Sequence, residues 1–220
     1  MSGADRLHHA VGGAELWPAL AAAIWVLALF ALGVFIAREF EAEVRAAVAH
    51  YGMLGMLIFV GTSVVAVLLP LLTNLPLVPL AVLAWGPWWT AALLLGGWAL
   101  GSVASFALGR YSRDGVMRRF PSVRRHAGID RLIDPQRRLL SLVMLRLTFP
   151  VDVLSYALGL FSPRTTLAET ALSTLLGAAP FAVLFALFPT LPASAQAMLF
   201  VLSTLAFAAY ARWVWRGPAR

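Results

Sequence analysis

The segment that decides the fold lies in the second half of the chain. Residues 139–161 read LLSLVMLRLTFPVDVLSYALGLF. This run is apolar over most of its length, but it contains Arg146, Pro150 and Asp152. Proline inside a helix removes a hydrogen bond and kinks or breaks the helix, and a charged residue at the bilayer centre costs about 2.5–3.5 kcal/mol on insertion scales. The pattern predicts a broken helix that enters a membrane and turns back, with its charges facing a partner or a cavity.

The composition of the whole chain predicts an all-α polytopic membrane protein. Of the 220 residues, 61% are hydrophobic and 12% are charged, and the mean hydropathy is +0.83. A soluble domain has about 45–50% apolar and about 25% charged residues. The composition therefore excludes intrinsic disorder, and the absence of cysteine excludes a disulfide scaffold.

About five apolar segments are long enough to cross a membrane, for which a helix needs about 20 residues. The predicted transmembrane helices are 16–37, 52–69, 88–109, 166–188 and 195–211. Between the second and third spans, residues 70–87 contain four prolines. Irregular backbone at membrane depth is tolerated only inside protein or along a cavity, so these residues are predicted to form another re-entrant segment. Residues 38–50 form either an amphipathic interfacial helix or an ordinary connector.

The arginines predict the topology. All 17 residues counted as lysine or arginine are arginine, and nine of them lie in residues 110–138, where three aspartates leave a net charge of +6. Positive residues concentrate in cytoplasmic loops, so this loop and the arginine-bearing C-terminus are predicted to be cytoplasmic. Two crossings and one re-entrant segment at 139–161 satisfy that rule. The basic charge is thereby explained, and no nucleic-acid partner is expected.

The same count of crossings can be applied between the N-terminal connector and the basic loop. It places the connector on the side of the basic loop, and the first re-entrant segment must then enter from the opposite face. The two re-entrant segments then form an inverted repeat, an architecture typical of transporters. A weak sequence repeat agrees with this prediction, since the spacing from Pro87 to Gly101 equals that from Pro163 to Gly177.

The spans and charges divide the chain into three parts. Residues 1–50 hold the N-terminal transmembrane helix and its connector, and residues 191–220 hold the final transmembrane helix and a basic tail. Residues 51–190 form the central membrane domain, with both re-entrant segments and the basic loop.

Arg146 and Asp152 are the strongest candidates for a functional site, because charged residues in membrane segments pair or line pathways. Two interpretations stay open. Either a buried ion pair holds the shape of the segment, or Pro150 breaks the helix and brings both side chains into a substrate or proton pathway. In the second case Arg146 holds a phosphate through its fork of N–H donors, and Asp152 exchanges a proton. Thr73 and Asn74 either complete this site or satisfy backbone groups freed around the prolines.

Three further patterns have a physical interpretation. Thr166-x-x-Glu169 is a capping-box pattern, which predicts a structural role for Glu169. A stripe of small residues permits close helix approach within one chain or in a homo-oligomer; its members are Gly97, Gly101, Ser105 and Gly109. The loop arginines either serve topology alone or also contact lipid headgroups; the candidates are Arg110, Arg118, Arg119, Arg124 and Arg125.

Enzyme signatures are scarce in the sequence. It contains no phosphate-binding loop, nucleophile elbow or zinc-binding helix motif. The four histidines lie outside the predicted spans and lack the spacing of a metal site, apart from two adjacent ones near the N-terminus. No catalytic residue, metal or cofactor is expected.

Two stretches of the second half resemble the DedA/VTT-domain superfamily, formerly described as SNARE-associated Golgi proteins. They are RLTFPVDVLSYALGL from Arg146 and LLGAAP ending at Pro180. The proline-broken run through Pro76 and Pro79, followed by GRY at 109–111, resembles the first half of that domain. The likeness covers about residues 51–190.

This resemblance implies two re-entrant segments in an inverted pair, in a protein of the bacterial inner (plasma) membrane. It implies lipid flipping or scrambling, including recycling of a polyprenyl phosphate carrier, with proton coupling. Arg146 matches the family's arginine before the second re-entrant proline, and Asp152 matches an acidic position of the nearest branch. Typical members also carry an acidic residue in the first re-entrant segment; Thr73–Pro79 has none, which implies a divergent branch.

The leading hypothesis is a flippase or scramblase that moves phospholipid or lipid-linked phosphate between leaflets, through a cavity between the two re-entrant segments. Its partners would be membrane lipids, among them anionic or polyprenyl-phosphate lipids, and protons. Two alternatives stay open. One is a proton-coupled transporter of a small solute, and the other is a scaffold or assembly factor that transports nothing.

Overall fold

The computed structural model describes residues 28, 32–36, 39–69, 73–119, 129, 132–199 and 201–202. The secondary structure of these residues is helical, with no strand among them, which confirms the all-α prediction. The predicted spans 16–37 and 195–211 lie mostly outside the described residues. Arg124, Arg125 and the basic tail lie entirely outside them.

Six longer α-helices account for most of the described chain. They are α1 (Glu41–Leu68), α2 (Val78–Trp85), α3 (Pro87–Arg119), α4 (Arg138–Thr148), α5 (Val151–Phe161) and α6 (Leu167–Leu187). Short 3₁₀ turns precede α2 at Leu75–Leu77 and follow α6 at Phe188–Thr190. Within the described residues, α3 and the stretch Leu167–Thr190 are long and apolar enough to cross a membrane.

The first broken helix is a hairpin formed by α1 and α2. The ring of Trp85, at the end of α2, lies against Gly55 and 6.0 Å from the ring of Phe59. Val78, at the start of α2, is buried in the same core as Phe59. The chain therefore reverses between the two helices, and α2 runs back along the C-terminal half of α1.

Local sequence explains where this hairpin begins and ends. Pro76 and Pro79 fall in the first turns of the 3₁₀ helix and of α2, where a missing N–H costs no helical hydrogen bond. Gly86 ends α2 with a φ of 80°, a conformation that glycine adopts without strain. Pro87 follows as the first residue of α3, a position that suits its fixed φ.

This pairing changes the predicted arrangement of the first half. The sequence predicts a separate span over 52–69 and a re-entrant segment over 70–87. The structure instead makes α1 one arm of the hairpin, and α1 continues without a break back to Glu41. The residues before 52 therefore lie at the end of the bundle where α3 begins, opposite the end where α3 finishes. The sequence predicts both on one side, because a charge-free run does not reveal whether it spans or folds back.

The helix boundary predicted at 109 is also wrong. The helix α3 continues to Arg119, so Arg110, Arg118 and Arg119 lie on a helix and not in a loop. No proline occurs in this stretch before Pro121. Charged residues end a membrane span but not a helix, since arginine is a good helix former.

The second broken helix is the hairpin of α4 and α5, and its break falls at the predicted Pro150. Phe149 is extended, with φ of −114° and ψ of 147°, and Pro150 forms the N-cap of α5. The following helix α6 begins with the predicted capping box of Thr166 and Glu169. Glu169 also forms an ion pair of 3.0 Å with Arg138 at the start of α4.

Helix α3 holds the two hairpins together, since it packs against α1, α5 and α6. Gly97 and Gly101 lie against α1, whereas Gly109 lies against Gly159 of α5. The small-residue stripe therefore packs within the chain. In the last third of α3, the Arg110 side chain reaches the C-terminal end of α5 and the carbonyl of Thr165, just before α6, so this part of α3 lies beside the start of α6.

The two halves use matching contacts. Gly101 of α3 lies against Val67 and the carbonyl oxygen three residues before it, and Gly177 of α6 lies against Arg146 and the carbonyl oxygen three residues before it. Each half thus consists of a hairpin and a long helix packed on the hairpin's first arm. The pairing of Gly101 with Gly177 is the one that the weak sequence repeat indicates.

Replacing Gly97 with alanine is expected to destabilise the protein by about 1–3 kcal/mol, the usual cost of overpacking. The added Cβ would collide with the Ser63 side chain and approach the Val60 carbonyl oxygen. Gly96 is the matched control, because a Cβ there meets nothing within 4 Å, and alanine should stabilise the helix by about 1 kcal/mol. Thermal unfolding in detergent measures both. Equal effects of the two substitutions would contradict the packing of α3 on α1.

Candidate functional site

A cavity of about 630 Å³ lies between the tips of the two hairpins. Residues from both tips line it, together with side chains of α3 and α6. The structure brings all five residues predicted for a substrate or proton pathway to this cavity: Thr73, Asn74, Arg146, Pro150 and Asp152.

Arg146 is the central charged group of the cavity wall, and only 2% of it is exposed. Its Nη1 donates hydrogen bonds to the Val151 carbonyl oxygen at 2.7 Å and to the Ser155 hydroxyl at 2.8 Å. The Ser155 hydroxyl in turn donates its proton to the Val151 carbonyl, so its oxygen is available to accept from Arg146. The aliphatic stem of Arg146 packs on Gly177 of α6. One nitrogen of the guanidinium is thereby fixed across the helix break.

The other two nitrogens of Arg146 are not satisfied. Nε and Nη2 are buried and have no hydrogen-bond partner among the described residues. An unmade hydrogen bond at a buried group costs about 1–3 kcal/mol, and more when the group is charged. The guanidinium therefore presents two strong, uncompensated donors beside the cavity. Their natural complement is an anion with two or more oxygens.

Asp152 lines the same cavity but does not pair directly with Arg146. Its carboxylate interacts electrostatically with the guanidinium, yet no nitrogen–oxygen distance between these two described residues is within 4.0 Å. The ion pair that one interpretation of the sequence requires is not formed. Asp152 lies in the first turn of α5, where a negative charge is favoured by the helix dipole.

The opposite tip contributes an amide. The Nδ2 of Asn74 donates to the Ser63 hydroxyl at 2.6 Å, and that hydroxyl donates to the Phe59 carbonyl at 2.8 Å. Thr73 accepts a hydrogen bond of 3.3 Å from the backbone N–H of Leu75. Both predicted residues therefore stabilise the broken backbone, and both also line the cavity.

The remaining wall is apolar and aromatic. Phe181 and Phe185 of α6 and Trp98 of α3 line the cavity, and the rings of Trp98 and Phe185 meet edge to face with centroids 6.2 Å apart. None of these residues is predicted from the sequence to belong to a site, because aromatic residues in an apolar helix carry no distinct signal. Only the four-residue spacing of Phe181 and Phe185, which puts them on one helix face, could have indicated them.

The arginines considered for headgroup contact have different surroundings. Arg110 donates to four backbone carbonyls at the end of α5 and just beyond it, and its guanidinium lies 4.9 Å from the ring centre of Phe106. Its donors are used within the protein, so we do not propose it as a lipid contact. Arg118 and Arg119 are exposed at the end of α3. No group of three or more potential metal ligands occurs in the part of the chain that the structure describes.

The described residues thus combine two helices that are long and apolar enough to cross a membrane with a cavity between the tips of two broken helices. A family model for the VTT domain matches residues 69–191, more than half of the chain. The chain therefore belongs to the VTT domain family, in the DedA/VTT superfamily. These are generally membrane proteins of the DedA type and are considered non-enzymatic. No curated protein and no solved structure matches the chain.

Ser155→Ala is expected to destabilise the protein by about 1–3 kcal/mol, because it removes a buried acceptor from the charged Arg146 side chain. Ser112→Ala is the matched control. Ser112 also donates to the carbonyl four residues before it, but it is exposed, so its loss should change stability by no more than about 0.5 kcal/mol. Thermal unfolding of both variants in detergent provides the comparison. A destabilisation of the same size in both would show that the bond to Arg146 contributes nothing.

Proposed function

We propose that this protein moves phospholipid or a lipid-linked phosphate between membrane leaflets. The observation that carries the proposal is the buried guanidinium of Arg146, with two unsatisfied nitrogens beside a cavity between two hairpin tips. A phosphate group is the lipid component that satisfies both donors at once, through the bidentate geometry of arginine. In surroundings of low dielectric constant this attraction is stronger than in water.

The dimensions of the cavity support this proposal. A volume of about 630 Å³ lies within the range of about 300–1,000 Å³ that small-molecule sites occupy. It accommodates a headgroup but not a whole lipid. The aromatic wall of Trp98, Phe181 and Phe185 is suited to the first carbons of an acyl chain, while the rest of the chains stay in the bilayer.

The proposed orientation follows from the helix packing. The helices α3 and α6 span the bilayer of the bacterial inner membrane, and the hairpins α1–α2 and α4–α5 enter it from opposite faces. The arginine-bearing end of α3 is cytoplasmic, because basic residues concentrate on that side. The two tips then meet near the midplane, where unwound backbone and polar groups form the binding sites of many transporters.

Cysteine labelling tests this orientation, since the natural chain has no cysteine. We expect Glu43→Cys and Tyr111→Cys to react with a membrane-impermeant reagent from opposite faces, because Glu43, on α1, lies at the end of the bundle where α3 begins, whereas Tyr111 lies in the last third of α3. Both residues are exposed, so reactivity is not limited by burial. Labelling of both from the same face would overturn the proposed orientation.

Transport is tested with fluorescent phospholipid in proteoliposomes. Arg146→Gln removes the charge, and a hydrogen bond to a charged group contributes about 1.5–3 kcal/mol. The lipid movement rate should therefore fall about 10- to 100-fold. Arg146→Lys keeps the charge but loses the fork and should be intermediate. Arg164→Gln is the matched control, because Arg164 is exposed and does not line the cavity. Unchanged movement in a normally folded Arg146→Gln variant would overturn the proposal.

The same vesicles separate the alternatives. Solute uptake driven by a pH gradient, without lipid movement, would favour a proton-coupled carrier whose pathway includes Asp152. The absence of both activities in reconstituted, folded protein would favour a scaffold whose polar residues only stabilise the helix breaks.

A further inference from the structure

The cavity contains hydrogen-bond acceptors as well as the unsatisfied donors of Arg146. Asn74 and Asp152 line it from different hairpins, and each has a side-chain oxygen that receives no hydrogen bond from a described residue. A phosphate on Arg146 would leave these oxygens without partners. They are the features of the cavity that a phosphate group alone does not explain.

The orientation of the Asn74 amide is determined by its neighbour. The proton of the Ser63 hydroxyl is donated to the Phe59 carbonyl, so Ser63 can only accept from Asn74. The NH₂ group of Asn74 therefore faces Ser63 at 2.6 Å. Its Oδ1 is left as an acceptor, although the residue as a whole is only 5% exposed.

The carboxylate of Asp152 is held near the guanidinium without being neutralised by it. It is not within ion-pair distance of Arg146, and no described residue donates to it. The two opposite charges are thus separately available on one wall of one cavity. A ligand that satisfies both needs an anionic group and, a short distance away, a hydrogen-bond donor.

We propose that the cavity selects lipids whose phosphodiester headgroup carries an N–H or O–H donor. In this arrangement, which rests on the proposed lipid transport, the phosphate binds Arg146 and the donor binds Asp152 and Asn74. A choline headgroup has the same positive charge as an ethanolamine headgroup but no N–H. It would give neither oxygen a hydrogen bond, and sites built to hydrogen-bond a group reject analogues that lack it.

A methylation series separates donor count from charge. Wild-type protein is reconstituted into phosphatidylcholine vesicles with traces of acyl-labelled ethanolamine, N-methyl-ethanolamine, N,N-dimethyl-ethanolamine or choline lipid. All four headgroups carry one positive charge, and their N–H donors fall from three to none. We expect the rate to fall along the series and to drop about tenfold or more at the last methylation. Phosphatidylglycerol, which donates O–H, should move faster than the choline lipid.

The variant Asp152→Asn should reduce this selectivity, whereas Asp114→Asn, an exposed carboxylate outside the cavity, should leave it unchanged. Equal wild-type rates across the series would overturn the inference and leave the proposed transport intact. Failure of every lipid to move would overturn both. The wild-type series is decisive by itself, so the test does not depend on the folding of Asp152→Asn.

Discussion

A hydrogen bond across a broken helix, from the Arg146 guanidinium to the Val151 carbonyl, is the interaction on which the second hairpin depends. Pro150 ends the helical hydrogen bonding there and separates the two arms. From α4, one nitrogen of Arg146 donates across the break to the Val151 carbonyl and to the Ser155 hydroxyl of α5. Because these bonds use one nitrogen, the other two are left beside the cavity, so one residue both joins the two arms and forms the site.

In the first hairpin, neutral groups form the hydrogen bonds across the helix break. Ser63 on one arm accepts from Asn74 at the tip, as Ser155 accepts from Arg146, and each serine donates its proton to the carbonyl four residues before it. In each hairpin, a serine therefore links the two sides of the helix break. In the second half Arg146 packs against Gly177, and in the first half Val67 occupies the equivalent position against Gly101. The permanent charge therefore lies in one hairpin only.

The sequence predicts the structure best at residues whose type has a single structural role. Pro150 predicted the second break, and the Thr166–Glu169 spacing predicted a capping box, because both depend on neighbours along the chain. The pairing of α1 with α2 is not predictable in this way, since an apolar run that spans and one that folds back have the same composition. The extension of α3 to Arg119 is not predicted either, because the apolar run ends at Gly109 although the helix continues. The aromatic wall depends on tertiary packing alone.

The glycines of α3 have a mechanical consequence. Gly97 and Gly101 attach one hairpin and Gly109 the other, and the two attachment surfaces are separated by about 12 Å along the helix axis. Buried side chains next to these glycines fix both contacts: Leu94 packs in one core with Phe59 and Val78 of the first hairpin, and Phe106 packs with Leu154 and Leu158 of the second. The helix α3 is therefore a common rigid rod on which each hairpin has a set position. The width of the space between the two tips depends on where these contacts fall along the rod.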